Sequence, residues 1–147
     1  MDIPPSIVSQ LADLTVNIGN VYRIKMDESN GITPKAPGDI SRNKFFIVLG
    51  VDIDDNVYGG VIINSEINPN INSNLREFHI PIQRIHYSFL VRDSYVDCSD
   101  IKVVSKSSFA KWQFLGRLDD YDIEIVNTTI LSCPAINKAT KKRFGII

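Results

Sequence analysis

Two apolar runs, Lys44-Phe-Phe-Ile-Val-Leu-Gly-Val-Asp-Ile53 and Asn56-Val-Tyr-Gly-Gly-Val-Ile-Ile-Asn-Ser65, are separated only by the polar residues around Asp54-Asp55-Asn56. β-Branched and aromatic side chains packed this densely suit strands, and a short acidic and amide break suits a hairpin turn. The turn sequence DIDDN faintly resembles a calcium loop. Val57 stands where such a loop needs glycine and Ile63 where it needs its bidentate acid, so the turn reading is preferred. Gly59-Gly60 inside the second run points to a bulge or a close backbone approach.

Flanking segments extend this sheet. Asn20-Val-Tyr-Arg-Ile-Lys-Met26 alternates Val21, Arg23 and Lys25 with Tyr22, Ile24 and Met26, the pattern of a half-buried strand. FHIPIQ, HYSFLV and SYVDCSDIKVV read as further strands. Two long polar loops interrupt them: residues 27–43, and a second loop with five asparagines between residues 64 and 74. Loops of this length tend to be functional or mobile. At the N-terminal end, Pro4 and Pro5 suit a first helical turn, and Ile7, Val8, Leu11 and Leu14 form one apolar stripe. A helix over residues 4–16 follows, expected to pack on the domain, with a partner-binding face as the alternative. SSFAKWQF reads as a helical turn capped by Ser107 or Ser108 and closed by Gly116, with Trp112 and Phe114 in the core. Residues 119–133 fit strand or helix by periodicity, and the Asp119-Asp120 start favours helix. The basic tail, residues 133–147, is expected to be loosely held.

The sum is a mainly β fold with peripheral α: a small, strongly bent barrel of five to seven antiparallel strands with a helix at each end. At 147 residues the chain fits a single domain, 1–147. Its net charge of −1 provides no global field for nucleic acid, so a polyanion site has to be a local patch. Cys98 and Cys133 are too few for a disulfide framework, and buried free thiols suit a reducing cytoplasm. No apolar run is long enough for a membrane span, and the start carries Asp2 and Asp13 rather than a basic leader. His79 and His86 lie in strand-like segments without a cysteine or acid at metal-ligand spacing, which favours surface or structural roles. Nucleophile elbows, phosphate loops and dinucleotide fingerprints are absent.

Order and spacing resemble one family. Gly19-Asn20-Val21-Tyr22 is similar to an opening strand that ends in a D-x-x-x-G loop, here Asp27 to Gly31. A basic stretch then leads into Lys44-Phe45-Phe46-Ile47-Val48-Leu49, and the next strand ends in Asn64 and Ser65. Further on, SYVDCSDIKVV and LGRLDDYDIEIVNTTI look like the later strand and final helix of the same pattern. Residues 19–132 thus resemble the MazF/PemK (Kid) toxin endoribonucleases.

That resemblance implies an SH3-like barrel, usually a homodimer, cutting single-stranded RNA without metal or cofactor in the cytoplasm. In it the 2′-hydroxyl attacks the adjacent phosphate, and a cognate antitoxin restrains the toxin. It assigns catalysis to Arg42, Lys44 and Ser65, and RNA binding to Lys35, Asn43, Asn64, Arg76, Asp97 and Ser99. The sequence departs from the pattern at several points. Lys44 holds the place of the family's arginine and lacks its planar fork, which Arg42 can supply from two residues earlier. Asp97, Ser99 and Asp100 stand where the family has arginine, aspartate and glutamine. Arg84 and Arg92 are further candidates for an RNA groove. Two alternatives follow from the departures: a catalytically inactive SH3-like protein-binding module, and a gyrase-poison-type toxin on the same barrel.

Overall fold

The apolar runs pair as the central hairpin of a six-stranded antiparallel sheet. The computed structural model describes residues 3–33, 38 and 41–147. Its strands are β1 (Asn20–Asp27), β2 (Ser41–Asp52), β3 (Val57–Asn64), β4 (His79–Ile82), β5 (Ser94–Ser105) and β6 (Gln113–Arg117), in the order β4-β5-β3-β2-β1-β6. The fold is mainly β with peripheral helices, as the sequence suggests. Among the described residues, hydrogen bonding does not close the sheet, and β4 and β6 are its edges.

Helical segments cover both faces, which explains why β2 is a nearly unbroken apolar run rather than an alternating one. On one face Tyr22, Ile24, Met26, Phe46, Val48, Tyr58, Ile62 and Val104 form a cluster with Ala12 of α1 (Pro5–Thr15). Phe109 and Trp112, in and just after the 3₁₀ turn Lys106–Lys111, pack against it. On the other face Val21, Ile47, Leu49, Val61, Val96 and Cys98 meet Ile123, Val126 and Ile130 of α3 (Asp120–Ser132). The segment whose periodicity fitted strand or helix is thus a helix. Cys98 and Cys133 are buried free thiols.

The paired glycines serve a close approach. A bulge interrupts β2–β3 pairing between Val48 and Gly50, and another interrupts β3–β5 between Gly60 and Ile62. Phe144 lies across the first. A Cβ on Gly59 would sit 2.5 Å from its ring, and one on Gly50 would sit 2.0 Å from its carbonyl oxygen. The tail is therefore docked rather than loose. Helix α4 (Lys138–Arg143) is held by Lys141 Nζ, which donates to the carbonyls of Leu131 (2.9 Å) and Cys133 (3.1 Å). Arg143 adds ion pairs to Asp52 and Asp55, both at 2.7 Å. Arg143 also keeps the Asp52 carboxyl below its usual range.

Three other expectations change. HYSFLV is not a strand: Tyr87 and Leu90 are buried core anchors three residues apart on successive turns. The helical turn near SSFAKWQF ends at Trp112 rather than Gly116, because residues 113–117 add to the free edge of β1. Its cap is Ser105, and Phe114 is exposed rather than core. Helix α1 forms and packs on the domain as expected, burying Val8 and Ala12, but the rest of its apolar stripe faces outward, with Ile7 46%, Leu11 44% and Leu14 85% exposed. Polar anchors set this rotation: Ser9 accepts from Asn56 at 2.8 Å, and Asp13 pairs with buried Lys106 at 2.6 Å.

Candidate functional site

Four neighbouring strands send polar side chains to the same face of the sheet. Residues two apart on a strand share a face, and directly opposed residues on antiparallel neighbours do too. Arg42 and Lys44 therefore lie on the face of Phe46, and Asn64 on that of Ile62, with Phe46 opposite Ile62. Ile62 is opposite Asp97, and Asp97 is opposite His79. Along most of the sheet this face is sealed by α1 and the 3₁₀ turn. At this end it opens into a cleft of about 730 Å³, the size of a small-molecule or nucleotide site.

Both long loops form its walls. Gly31, Ile32 and Thr33 come from the first, and Ser65–Asn68 with Ile71 from the asparagine-rich second. The rim adds Leu90, Val91 and Arg92 from the β4–β5 connection. The first loop is shaped locally. Asp27 caps the 3₁₀ turn Glu28–Asn30, accepting from Ser29 N at 2.8 Å, and Gly31 ends the turn at φ 81°. Asn30 reaches across to the Val103 carbonyl (2.9 Å), and Lys102 donates to the Gly31 carbonyl (2.7 Å).

The electrostatics are local, as the overall charge requires. Arg42, Lys44, Arg92 and Lys102 line the cleft with Glu66 and Asp97. Lys102 pairs with Asp100 at 2.7 Å. Lys44 is only 8% exposed, and its ammonium donates to Asn64 Oδ1. Lys44 is therefore a side chain fixed in the cleft rather than a solvated strand-entry residue.

Deeper lies a pair that sequence reading did not assemble. His79 is buried and its Nδ1 lies 3.0 Å from the Leu75 carbonyl oxygen, which can only accept; the neutral ring therefore carries its proton on Nδ1. Nε2 lies 3.4 Å from Asp97 Oδ1. Asp97 Oδ1 also accepts from Ser99 N (3.0 Å) and Ser99 Oγ (2.6 Å). The sequence offered one available signal: Asp97 and Ser99 were already candidates, and His79 opens a short strand able to pair with theirs.

Of the sequence-based candidates, Arg42, Asn43, Lys44, Asn64, Ser65 and Asp97 all line this cleft. Ser99 is buried behind Asp97 and holds it. Arg76 sits exposed at the end of the short helix α2 (Ser73–Arg76), outside the lining. Lys35 falls outside the described residues. Arg92 joins the rim, and Arg84 does not. Among the described residues no helix is long and apolar enough to cross a membrane. No protein-family model matches the chain, and no curated protein matches it significantly.

Proposed function

We propose that the cleft binds single-stranded RNA and cleaves it without a metal, in the manner of the MazF/PemK toxins that the sequence resembles. What carries the reading is that Arg42 and Lys44 share one cleft with Asn64, Ser65 and Asp97. In this scheme the Arg42 guanidinium grips the non-bridging phosphate oxygens through its planar fork. Lys44, held by Asn64, places fixed positive charge where the phosphorane gathers negative charge, and Ser65 donates a hydrogen bond. The 2′-hydroxyl attacks the neighbouring phosphorus and expels the 5′-oxygen, giving a cyclic phosphate and a 5′-hydroxyl. An antitoxin would neutralise the protein by laying an acidic or amphipathic segment over the same groove.

Incubation of the purified protein with a long unstructured RNA in EDTA tests this. Expected are cuts with 5′-hydroxyl ends that fall by about a hundredfold or more in Arg42→Ala or Lys44→Met. Intact RNA under these conditions removes the nuclease reading. One observation favours a second reading, a non-catalytic binding module: the residue in the family's arginine position is a buried lysine held by Asn64. Intact RNA together with harmless overexpression supports it, whereas growth arrest with DNA damage points to a gyrase-type target.

A further inference from the structure

The scheme above lacks a proton acceptor, since Arg42 and Lys44 are cations at neutral pH and Ser65 is a poor base. We infer that Asp97 and His79 are the proton-transfer pair of the cleft, with Asp97 meeting the substrate hydroxyl and His79 behind it as the proton reservoir. This deepens the RNA-cleavage reading and rests on it.

The geometry supports each role. Asp97 lines the cleft with its side chain 17% exposed, while that of His79 is 3% exposed. The carboxylate can therefore reach a bound ribose, and the imidazole acts through it. Asp97 is fixed by two hydrogen bonds from Ser99 and faces Nε2. The Nδ1–H bond to the Leu75 carbonyl leaves Nε2 as the lone-pair nitrogen of the neutral ring. A carboxylate alone is a weak base, but one backed by an imidazole can pass its proton to the stronger site.

The step balances. As the O2′–P bond forms, the 2′-hydroxyl proton passes to Asp97 and on to Nε2, giving an imidazolium paired with the carboxylate. The P–O5′ bond breaks, the departing oxygen takes a proton from water, and the imidazolium returns its proton to the hydroxide so formed. No oxidant or cofactor is consumed.

The receiving form has Nε2 without a proton, so His79 accepts the proton only in its neutral state. The other charged groups of the cleft are Arg42 and Lys44 on β2, Glu66 after β3, Arg92 before β5 and Lys102 on β5.

The experiment compares wild type, His79→Asn and Asp97→Asn on a single-stranded RNA oligonucleotide between pH 5 and 9. Binding is followed with the same oligonucleotide carrying 2′-O-methyl groups, which cannot be cut. Expected are losses of roughly tenfold or more in cleavage for both variants, an altered pH profile in His79→Asn, and binding by His79→Asn within about twofold of wild type. If wild type cuts and His79→Asn keeps its rate and profile, the pair has no such role while the RNA reading stands. If wild type neither binds nor cuts, both fall. Should His79→Asn fail to fold, NMR of wild-type imidazole nitrogens decides, with His86→Gln assigning the two signals. A neutral His79 carrying its proton on Nε2 overturns the inference.

Discussion

The contact between Phe144 and the bulged hairpin offers a sharp test, because two glycines meet different parts of the same residue. A methyl group on Gly59 would lie 2.5 Å from the ring of Phe144, well inside van der Waals contact. The β3 backbone is locked between β2 and β5, so the ring has to leave its site. Full burial of a phenylalanine side chain contributes about 1.5–3 kcal/mol, and Phe144 is almost fully buried. Gly59→Ala should therefore cost about 2–3 kcal/mol, and Phe144→Ala about 3 kcal/mol, the lower end for a core phenylalanine. With the ring gone, the new methyl has room. The double variant should cost little more than Phe144→Ala alone, a coupling of about 2 kcal/mol.

Gly50 behaves differently. Its added methyl would lie 2.0 Å from the Phe144 carbonyl oxygen, which truncation of the side chain does not remove. Gly50→Ala should remain costly in the Phe144→Ala background. Urea unfolding of wild type and the five variants measures these differences directly. Independent, additive costs for Gly59→Ala and Phe144→Ala, or a cost below about 0.5 kcal/mol for Gly59→Ala, would refute the docking argument.

Other expectations follow from buried polar groups and from the orientation of α1. Asp13→Asn strips the counter-charge from buried Lys106, which also sits over the Tyr58 ring, and should cost about 2 kcal/mol; Lys106→Met should cost less, since it removes the charge itself. Thermal unfolding of both variants checks this order. Burial, chiefly, raises the Cys98 thiol well above its ordinary range, so a thiol reagent at pH 8 should label it only after denaturant is added. The Asp52 carboxyl is lowered by its hydrogen bond to Arg143, so its contribution is present above the unfolded carboxyl range and lost as pH falls through the folded value. Acid unfolding followed by fluorescence should therefore lose part of its pH dependence below about pH 4 in Asp52→Asn. Leu14→Ser, on the outward face of α1, should change stability by less than about 0.5 kcal/mol.

Much of the sheet was legible because its cause is local. Arg23 and Lys25 alternate with Tyr22, Ile24 and Met26, and the structure exposes the first pair and buries the others. The same holds for the β2–β3 hairpin and its glycines. Legibility failed where neighbours decided the outcome. In HYSFLV the apolar residues suit a strand, yet Tyr87 is drawn towards α3, where its hydroxyl donates to Asp122 and accepts from Asp119 N at 3.1 Å. Helix α1 has a readable stripe, but the ion pair from Asp13 to Lys106 joins residues far apart in the chain, and Ile7, Leu11 and Leu14 face outward while Val8 is buried. The cleft was partly legible: Arg42, Lys44, Asn64 and Ser65 could be marked as strand-end residues, whereas His79 could not be linked to Asp97.

By itself, the sequence determined the strand-rich class, the hairpin with its close glycine approach, and a set of polar residues at strand ends and in long loops. Periodicity and turn chemistry act over a few residues, and they are written in the order of the side chains. Only the tertiary structure decided that β4 lies beside β5, that His79 thereby faces Asp97, and that Phe144 closes over Gly50 and Gly59. Those contacts depend on which strand edges meet and which face each helix covers, outcomes of packing among distant segments.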